Sequence, residues 1–467
     1  MAEMRVEHDS LGEVQIPDGV WWGPQTERSR HNFTTGPLMP LALIRALIQV
    51  KSAAAEVNSQ MDVITPTVGQ AIQAACQQLL ALDDQKLRAQ FPLRVYQTGS
   101  GTQTNMNVNE VVAHLASAHS AQTILPNDHV NASQSSNDTF PTAMNMVAYQ
   151  AMTATISTIA QLNTDLLQKE TRYQRTVKLG RTHLQDATPL TFGQEISGWR
   201  ATLVADISTL KSAQKRLLDL PLGGTAVGTG LNTTPDVTAK IISVLARELA
   251  IPFQNMTNKF HGLSAHTELT NAHSTLKTLA TDLLKIANDI RFLASGPRGG
   301  YGELTIPANE PGSSIMPGKV NPTQAEALTM IATRVLGNDV TIGVANSQGN
   351  FEMNVYKPVM IATFLESADL LTGGIAQFDR LLVQGLQANE EVMRATVDGS
   401  LMTVTALSPH IGYEASAKIA QAALRDDTTL KAAALKSGLL TAAQFDQWTD
   451  PLKLTNIDQS SHQDPDF

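Results

Sequence analysis

Between Leu263 and Ser295 the chain runs without a glycine or a proline, and no other feature limits its fold as strongly. Within that run Leu269, Ala272, Leu276, Leu279, Leu283, Ile286, Ile290 and Leu293 recur at alternating steps of three and four. This is one apolar seam on a helix, with the heptad-like spacing that suits nearly parallel packing at a shallow crossing angle. A helix over the whole run would be roughly 50 Å long at ~1.5 Å per residue. A helix of that length does not close a core alone, so a bundle is expected, shared between subunits. A second run free of glycine and proline extends from Thr142 to Leu179, and similar patterns recur around 190–219, 323–345 and 359–390. No alternation of period two is long enough for a large sheet.

These features predict a mainly α protein of three domains. An N-terminal mixed, mostly helical domain covers 1–134, a central long-helix bundle 135–390 and a small C-terminal helical domain 391–467. In the first domain, IPDGVWWGPQTE is turn-rich and helices are expected around 38–57 and 66–82. The chain ends in a polar tail, IDQSSHQDPDF, expected to fray.

At 467 residues two or three domains are the ordinary expectation. With 42% hydrophobic and 16% charged residues the chain is globular rather than disordered. A net charge of −9 and the lack of a basic run give no footprint for nucleic acid. No apolar stretch comes near the ~20 residues that span a bilayer. The start, MAEMRVEHDSLGEV, has neither an apolar leader core nor a basic, acid-poor transit pattern, so the expectation is a soluble protein that stays where it is made, in the cytoplasm, or a mature form already trimmed. The single cysteine, Cys76, lies in the apolar run AIQAACQQLLAL, where it reads as a small buried hydrophobe. One thiol cannot supply an iron–sulfur cluster, and the 11 histidines show no HExxH-type spacing, so no metal and no cofactor are expected.

Four polar islands interrupt the helices: GSGTQTNMNVNE (99–110), SQSSND (133–138), GRTHLQDATP (180–189) and GSSIMPGKVNP (312–322). The last holds two glycines and two prolines and cannot be helix interior. All four are rich in hydroxyl and amide donors and poor in acids. Such groups can cradle an anion at a helix start, and Lys319 adds a point charge. Each has a plainer reading. SQSSND can be an N-cap for the following helix, with Asn137 or Asp138 accepting first-turn amides. GSGTQTN can be a turn, His183 a structural histidine, and 312–322 a connector. Their joint occurrence is what points to a dicarboxylate site.

GSSIMPGKVNP resembles the signature of the fumarase/aspartase superfamily, whose members cleave C–O or C–N bonds beta to a carboxylate. The other islands follow in the same order. NASQSSNDTFPTAM, GRTHLQDATPLTFGQEISGW, GGTAVGTGLNT (223–233), NEPGSS, GNFEMNV and VTALSPHIGYE (404–414) also match, so the likeness runs from about residue 5 to 450. His183, where aspartate ammonia-lyases typically carry glutamine, and the Ser-Ser-Asn-Asp run favour the class II fumarases.

That resemblance implies a lyase of the tricarboxylic acid cycle. It would hydrate fumarate to L-malate reversibly, by anti addition through an aci-carboxylate and without metal. It implies Ser313 as the base that takes the C3 proton, His183 on the water side, and Glu326 as the carboxylate paired with that histidine. Ser100, Thr102, Ser135, Ser136, Asn137, Thr182, Ser314, Lys319 and Asn321 would bind the substrate carboxylates. Residue chemistry alone favours the His183–Glu326 pair as base, because a serine needs its pKa strongly lowered, by loop amides and Lys319. Many relatives carry His-Pro-Asn-Asp at a peripheral dicarboxylate site. Here the run is Leu125-Pro126-Asn127-Asp128, so Asn127 and Asp128 remain while leucine cannot donate. The family forms homotetramers whose active sites draw on three chains, with no nucleic-acid or membrane partner. The alternatives are an aspartate or related amino-acid ammonia-lyase, and a retired enzyme kept as a structural protein. The latter predicts erosion at Ser313, Lys319, Asn321 or His183, and all four are present.

Overall fold

The structure is a computed structural model and describes residues 3–118 and 120–458. Most of the polar tail therefore lies outside the described residues. The chain is mainly helical, and its strands form two-stranded sheets. It divides into two compact units, each assembled from three stretches: 1–156, 209–278 and 334–370 in one, and 157–208, 279–333 and 371–467 in the other.

The long helices fall where the apolar seams predict, with instructive differences at their ends. The seam residues from Leu269 to Leu293 are all buried, but their helix is Thr267–Leu293, of 27 residues, or ~40 Å. It is shorter than the glycine-free run because Asn258 caps a separate short helix, Lys259–Ser264, after which Ala265 is extended. The next amide, that of His266, is donated to the Asn346 side chain at 2.8 Å instead of continuing a helix. The other run feeds Ser136–Arg172, which starts ahead of Pro141 and ends before the strand Val177–Thr182. Phe192–Gln214, Thr323–Asn346 and Lys357–Phe378 complete the long helices.

One expectation needs correction. By length and composition the helix Lys357–Val383 could cross a membrane, so the limit placed on apolar stretches was too strict. More than half of its most apolar stretch is buried inside the protein, and Met360, Ile361 and Phe364 are core residues. Helical residues buried on most sides give the composition of a membrane span without implying one.

The first unit opens with a hairpin, Met4–Asp9 against Gly12–Pro17. The helix Pro24–Asn32 follows, held by buried Glu110, which accepts the N–H groups of Gly23, Gln25 and Thr26 at 2.8–3.1 Å. These are orphan donors of a helix start, satisfied by a side chain from Thr102–Ala118. Cys76 is buried and free in Pro66–Leu80, and burial pushes its thiol up to about 12. Deeper in the unit, His273 joins three helices: Nδ1 lies 2.9 Å from Asp339 and Nε2 2.9 Å from the Ser367 hydroxyl. His273 and Ser367 are fully buried, so this serine–histidine–aspartate set ties helices together and offers no route to a substrate.

In the second unit Arg200 reaches Glu170 at 2.6 Å and Trp199 donates to Asp289 at 3.4 Å, linking three long helices. Near the chain end Leu407, Ile419, Ala423, Leu430, Ala434, Leu440 and Phe445 form a small core of their own.

Candidate active site

In the first unit the structure brings together the islands at 99–110 and 133–138. The Thr102 hydroxyl lies 2.8 Å from that of Ser100 and 2.8 Å from that of Ser136, forming a half-buried row of three hydroxyls. The row is possible because two glycines let the backbone approach. A β-carbon at Gly99 would stand 1.3 Å from the Val355 carbonyl oxygen, and one at Gly101, with φ +79°, 2.2 Å from the Phe140 ring.

Ser135 and Asp138 form a reciprocal cap at the start of Ser136–Arg172. The Ser135 hydroxyl accepts the Asn137 N–H at 3.2 Å, and Asp138 accepts the Ser135 N–H at 2.9 Å. SQSSND does cap the helix, but the first-turn acceptor is Ser135 and not Asn137 or Asp138, and capping covers only part of the segment. The other Asp138 oxygen accepts N–H groups from Gly223 at 2.8 Å and Thr225 at 3.0 Å, and Asn137 donates to the Ala226 carbonyl at 2.8 Å. GGTA (223–226) is thus bound to the island. Burial pushes the Asp138 carboxyl up, against the three N–H donors and Lys51, which favour its charged form.

In the second unit Thr182 and His183 sit at the tip of the hairpin Val177–Thr182/Gln185–Thr191, exposed. His183 and Leu184 form its two-residue turn with φ +57° and +60°. Both central residues of a type I′ turn need positive φ, which Asn-Gly normally supplies. A histidine and a leucine there are strained, and such strain gathers at functional positions. The hairpin stem is fixed by buried charges. Arg181 contacts Glu303 at 2.6 Å, and Lys178 lies 2.9 Å from Glu195 and 3.4 Å from Glu303. Arg181 also covers the Tyr301 ring, 4.5 Å from its centre.

The 312–322 segment is a loop braced on itself. Gly312 donates its N–H to the Lys319 carbonyl at 2.8 Å, and Asn321 donates its side-chain amide to the Gly312 carbonyl at 2.6 Å. The Ser313 hydroxyl accepts the N–H groups of Ile315 at 3.2 Å and Met316 at 3.1 Å. Ser314 and Lys319 are exposed. Glu326 is half-buried in the first turn of Thr323–Asn346. Among the described residues no hydrogen bond or ion pair joins His183 to Glu326, or either of them to Ser313.

At 125–130 the chain makes a wide helical turn in which the His129 Nδ1 accepts the Leu125 N–H at 2.9 Å. Asn127 and Asp128 are exposed beside Leu125. No group of three or more metal-ligating side chains occurs among the described residues.

Residue types alone did not single out Gly99, Gly101, Asp138 as a tie to 223–225, or the Arg181–Glu303 pair. The available signal was the density of glycine beside small polar residues, which marks close backbone approach.

Helical units that carry these loops at helix starts and a hairpin tip define a lyase of the fumarase/aspartase kind. The sequence matches the family described as Lyase over residues 12–337 and the fumarase C C-terminus over 404–456. A class II fumarate hydratase of Listeria monocytogenes is 53% identical over 456 residues, spanning 97% of this chain and all of that one. The class II fumarase of Schistosoma mansoni has a TM-score of 0.93 at 40% identity, covering 97% of this chain and 99% of the other. The cobalt-bound fumarate lyase:delta crystallin of Brucella melitensis has a TM-score of 0.92 at 36% identity, covering 97% of this chain and all of that one. The chain belongs to the class II fumarate hydratase family.

Proposed function

We propose that this lyase hydrates fumarate to L-malate reversibly, with Ser313 as the base and His183 serving the departing hydroxyl. The observation that carries the base assignment is the pair of backbone N–H groups, from Ile315 and Met316, aimed at the Ser313 oxygen. Donors fixed on that oxygen favour its alkoxide, the form in which a serine acts as a base, and so support the assignment. In the dehydration direction Ser313 takes the C3 proton of malate and the C–H electron pair moves into the adjacent carboxylate, giving an aci-carboxylate. Lys319, Asn321 and Ser314 would stabilise that charge. When the electrons return to form the double bond, the C2–O bond breaks and His183, which would meet Glu326 across subunits, protonates the departing hydroxide to water. Ser100, Thr102, Ser135, Ser136, Asn137 and Thr182 bind the carboxylates. No step calls for a metal or cofactor.

The protein is a homotetramer in this reading, with each site drawn from three chains. Exposure of the catalytic elements supports it: Ile315 is 83% and Leu184 62% exposed beside Ser313 and His183, apolar groups that a neighbouring copy would cover. The three-part division at 134/135 and 390/391 belongs to the same reading, supported for the last part by its separate small core. Asn127 and Asp128 would form at most a weakened peripheral dicarboxylate site. The same reading makes it a cytoplasmic enzyme without nucleic-acid or membrane partners, supported by the net charge of −9 and the lack of a basic run. Relatives named fumarate hydratase over nearly the full length decide against the ammonia-lyase alternative.

The test is ultraviolet absorbance of the fumarate double bond after adding purified, chelator-treated protein to L-malate, with L-aspartate in parallel and ammonia assayed. A rise with malate alone is expected. A rise with aspartate alone would overturn the reading. Mixed tetramers of Ser313→Ala and His183→Asn should regain activity after verified subunit exchange, and their failure to do so would remove the shared site.

A further inference from the structure

Three lysines of the first unit, Lys51 and Lys357 buried and Lys259 half-buried, are each anchored to a segment that adjoins the hydroxyl row or the 223–226 loop. Lys51, fully buried, donates to Asn131 Oδ1 at 3.0 Å and to Gln134 Oε1 at 2.9 Å, one residue before Ser135. Lys259 donates to the carbonyl of Leu220, on the strand that leads into 223–226, at 3.0 Å, and to Asn255 on the neighbouring strand. Lys357, fully buried, gives its backbone N–H to the Gly99 carbonyl at 3.1 Å, next to Ser100. Its ammonium meets the Met353 sulfur at 2.7 Å.

Asp138 is the carboxylate that all three feel. The other titratable groups facing them are Cys76 and Asp138 for Lys51, Asp219 and Asp138 for Lys259, and His266 and Asp138 for Lys357. The thiol and the imidazole are neutral near pH 7, since burial pushes Cys76 up to about 12 and takes His266 down to about 3. The ammonium groups thus outnumber the carboxylates that face them. Burial pulls Lys51 and Lys357 down to about 7 and Lys259 to about 8, against the attraction of Asp138. A buried amine short of negative charge sheds its proton, and an anion brought close restores it.

We propose that Lys51 and Lys357, with Lys259 as a weaker third, form a buried cationic layer behind the substrate cradle, so that each dicarboxylate binds together with protons taken up by these amines. This rests on the reading that Ser100, Thr102 and Ser135–Asn137 hold the substrate. The lysines are positioning residues: they act through Gln134, Gly99 and the Leu220–Gly223 segment. Within the first unit the direct contacts stay neutral hydroxyls and amides, and the positive charge that this unit sets against a dianion lies behind them, in addition to Lys319 of the second unit.

The experiment is calorimetric titration of the whole enzyme with succinate, a dicarboxylate with neither double bond nor hydroxyl, at pH 8. Two buffers of different ionisation heat are used, and fumarate–malate turnover is assayed on the same preparations. Succinate should bind with uptake of roughly one proton per site. Lys51→Met and Lys357→Met should each reduce that uptake and weaken succinate binding about ten-fold. A purely structural role would weaken binding and leave the uptake as in the parent. Lys259→Met, at the least buried of the three, serves as a further variant if either core substitution fails to fold. Turnover and succinate binding without proton uptake, or uptake unchanged in the variants, overturns the cationic layer alone. Absence of both turnover and succinate binding overturns the cradle, and the layer with it.

Discussion

Asn321 donates its side-chain amide to the carbonyl of Gly312 across 2.6 Å and so closes the Ser313 loop upon itself. The contact sits beside the backbone bond from Gly312 to Lys319, which brings the two ends of the loop together without help from the rest of the unit. An exposed loop held by its own bonds keeps its shape even where it projects from the chain. Such rigidity is what a base and an anion binder on one loop require.

Asn321→Asp keeps the size of the side chain but sets an anion against the Gly312 carbonyl and the developing substrate charge, so both the brace and the direct contact are lost. Turnover should fall about 100-fold or more, as for a misplaced catalytic group, while the melting temperature stays near that of the parent because the loop contributes little core. Turnover within two-fold of the parent would show that the brace is dispensable.

Gly99→Ala puts a β-carbon 1.3 Å from the Val355 carbonyl oxygen, which backbone must move to accommodate. The expected loss of stability is about 3 kcal/mol, together with loss of the hydroxyl row. Denaturant unfolding checks the first and substrate affinity the second. An unchanged midpoint would mean that the two segments are not packed as described.

Glu303→Gln leaves Arg181 and Lys178 buried beside a neutral amide, where the parent holds them at 2.6 and 3.4 Å from a carboxylate. Breaking one side of such a pair costs about 3 kcal/mol. Because Arg181 stands two residues before His183, turnover should drop as well. Combining Glu303→Gln with Arg181→Met should recover part of the stability. If the double variant is the sum of the singles in both properties, the pair does not act as a unit.

His266 has a pH signature. Its Nε2 is buried without a hydrogen-bond partner, and burial, with Lys357 nearby, takes the imidazole from an ordinary 6.5 down to about 3. The folded protein therefore keeps His266 neutral while the unfolded chain protonates it below about 6.5. Its contribution is complete above that pH and is lost as pH falls from 6.5 toward about 3, at ~1.4 kcal/mol per pH unit for one proton. In His266→Gln, the decline of the urea midpoint between pH 6.5 and 5 should be shallower by that one proton. Equal slopes in the two proteins would refute the assignment.

Several of these features could be read from the sequence directly. The seam from Leu269 to Leu293 specifies its helix, because burying one face is a local property of spacing, and every seam residue is buried. The Ser313 segment had to be a loop, because two prolines and two glycines forbid helix within it. Helix ends were less legible. The break before Thr267 depends on the Asn346 side chain taking the His266 amide, a partner 80 positions away in the chain.

The sequence by itself thus determined the helical class, the polar islands and the family, since propensity, periodicity and motif are all short-range properties. Only the tertiary structure decided which islands are bound together, that Asp138 carries the 223–225 loop, that His183 occupies a strained hairpin turn, and that Lys51 and Lys357 are buried and bonded to the segments that adjoin the row of hydroxyls. Each of these rests on distance and burial between residues far apart in the chain. A carboxylate or an ammonium changes its energy with the groups that replace water around it, and no short stretch of sequence names those groups.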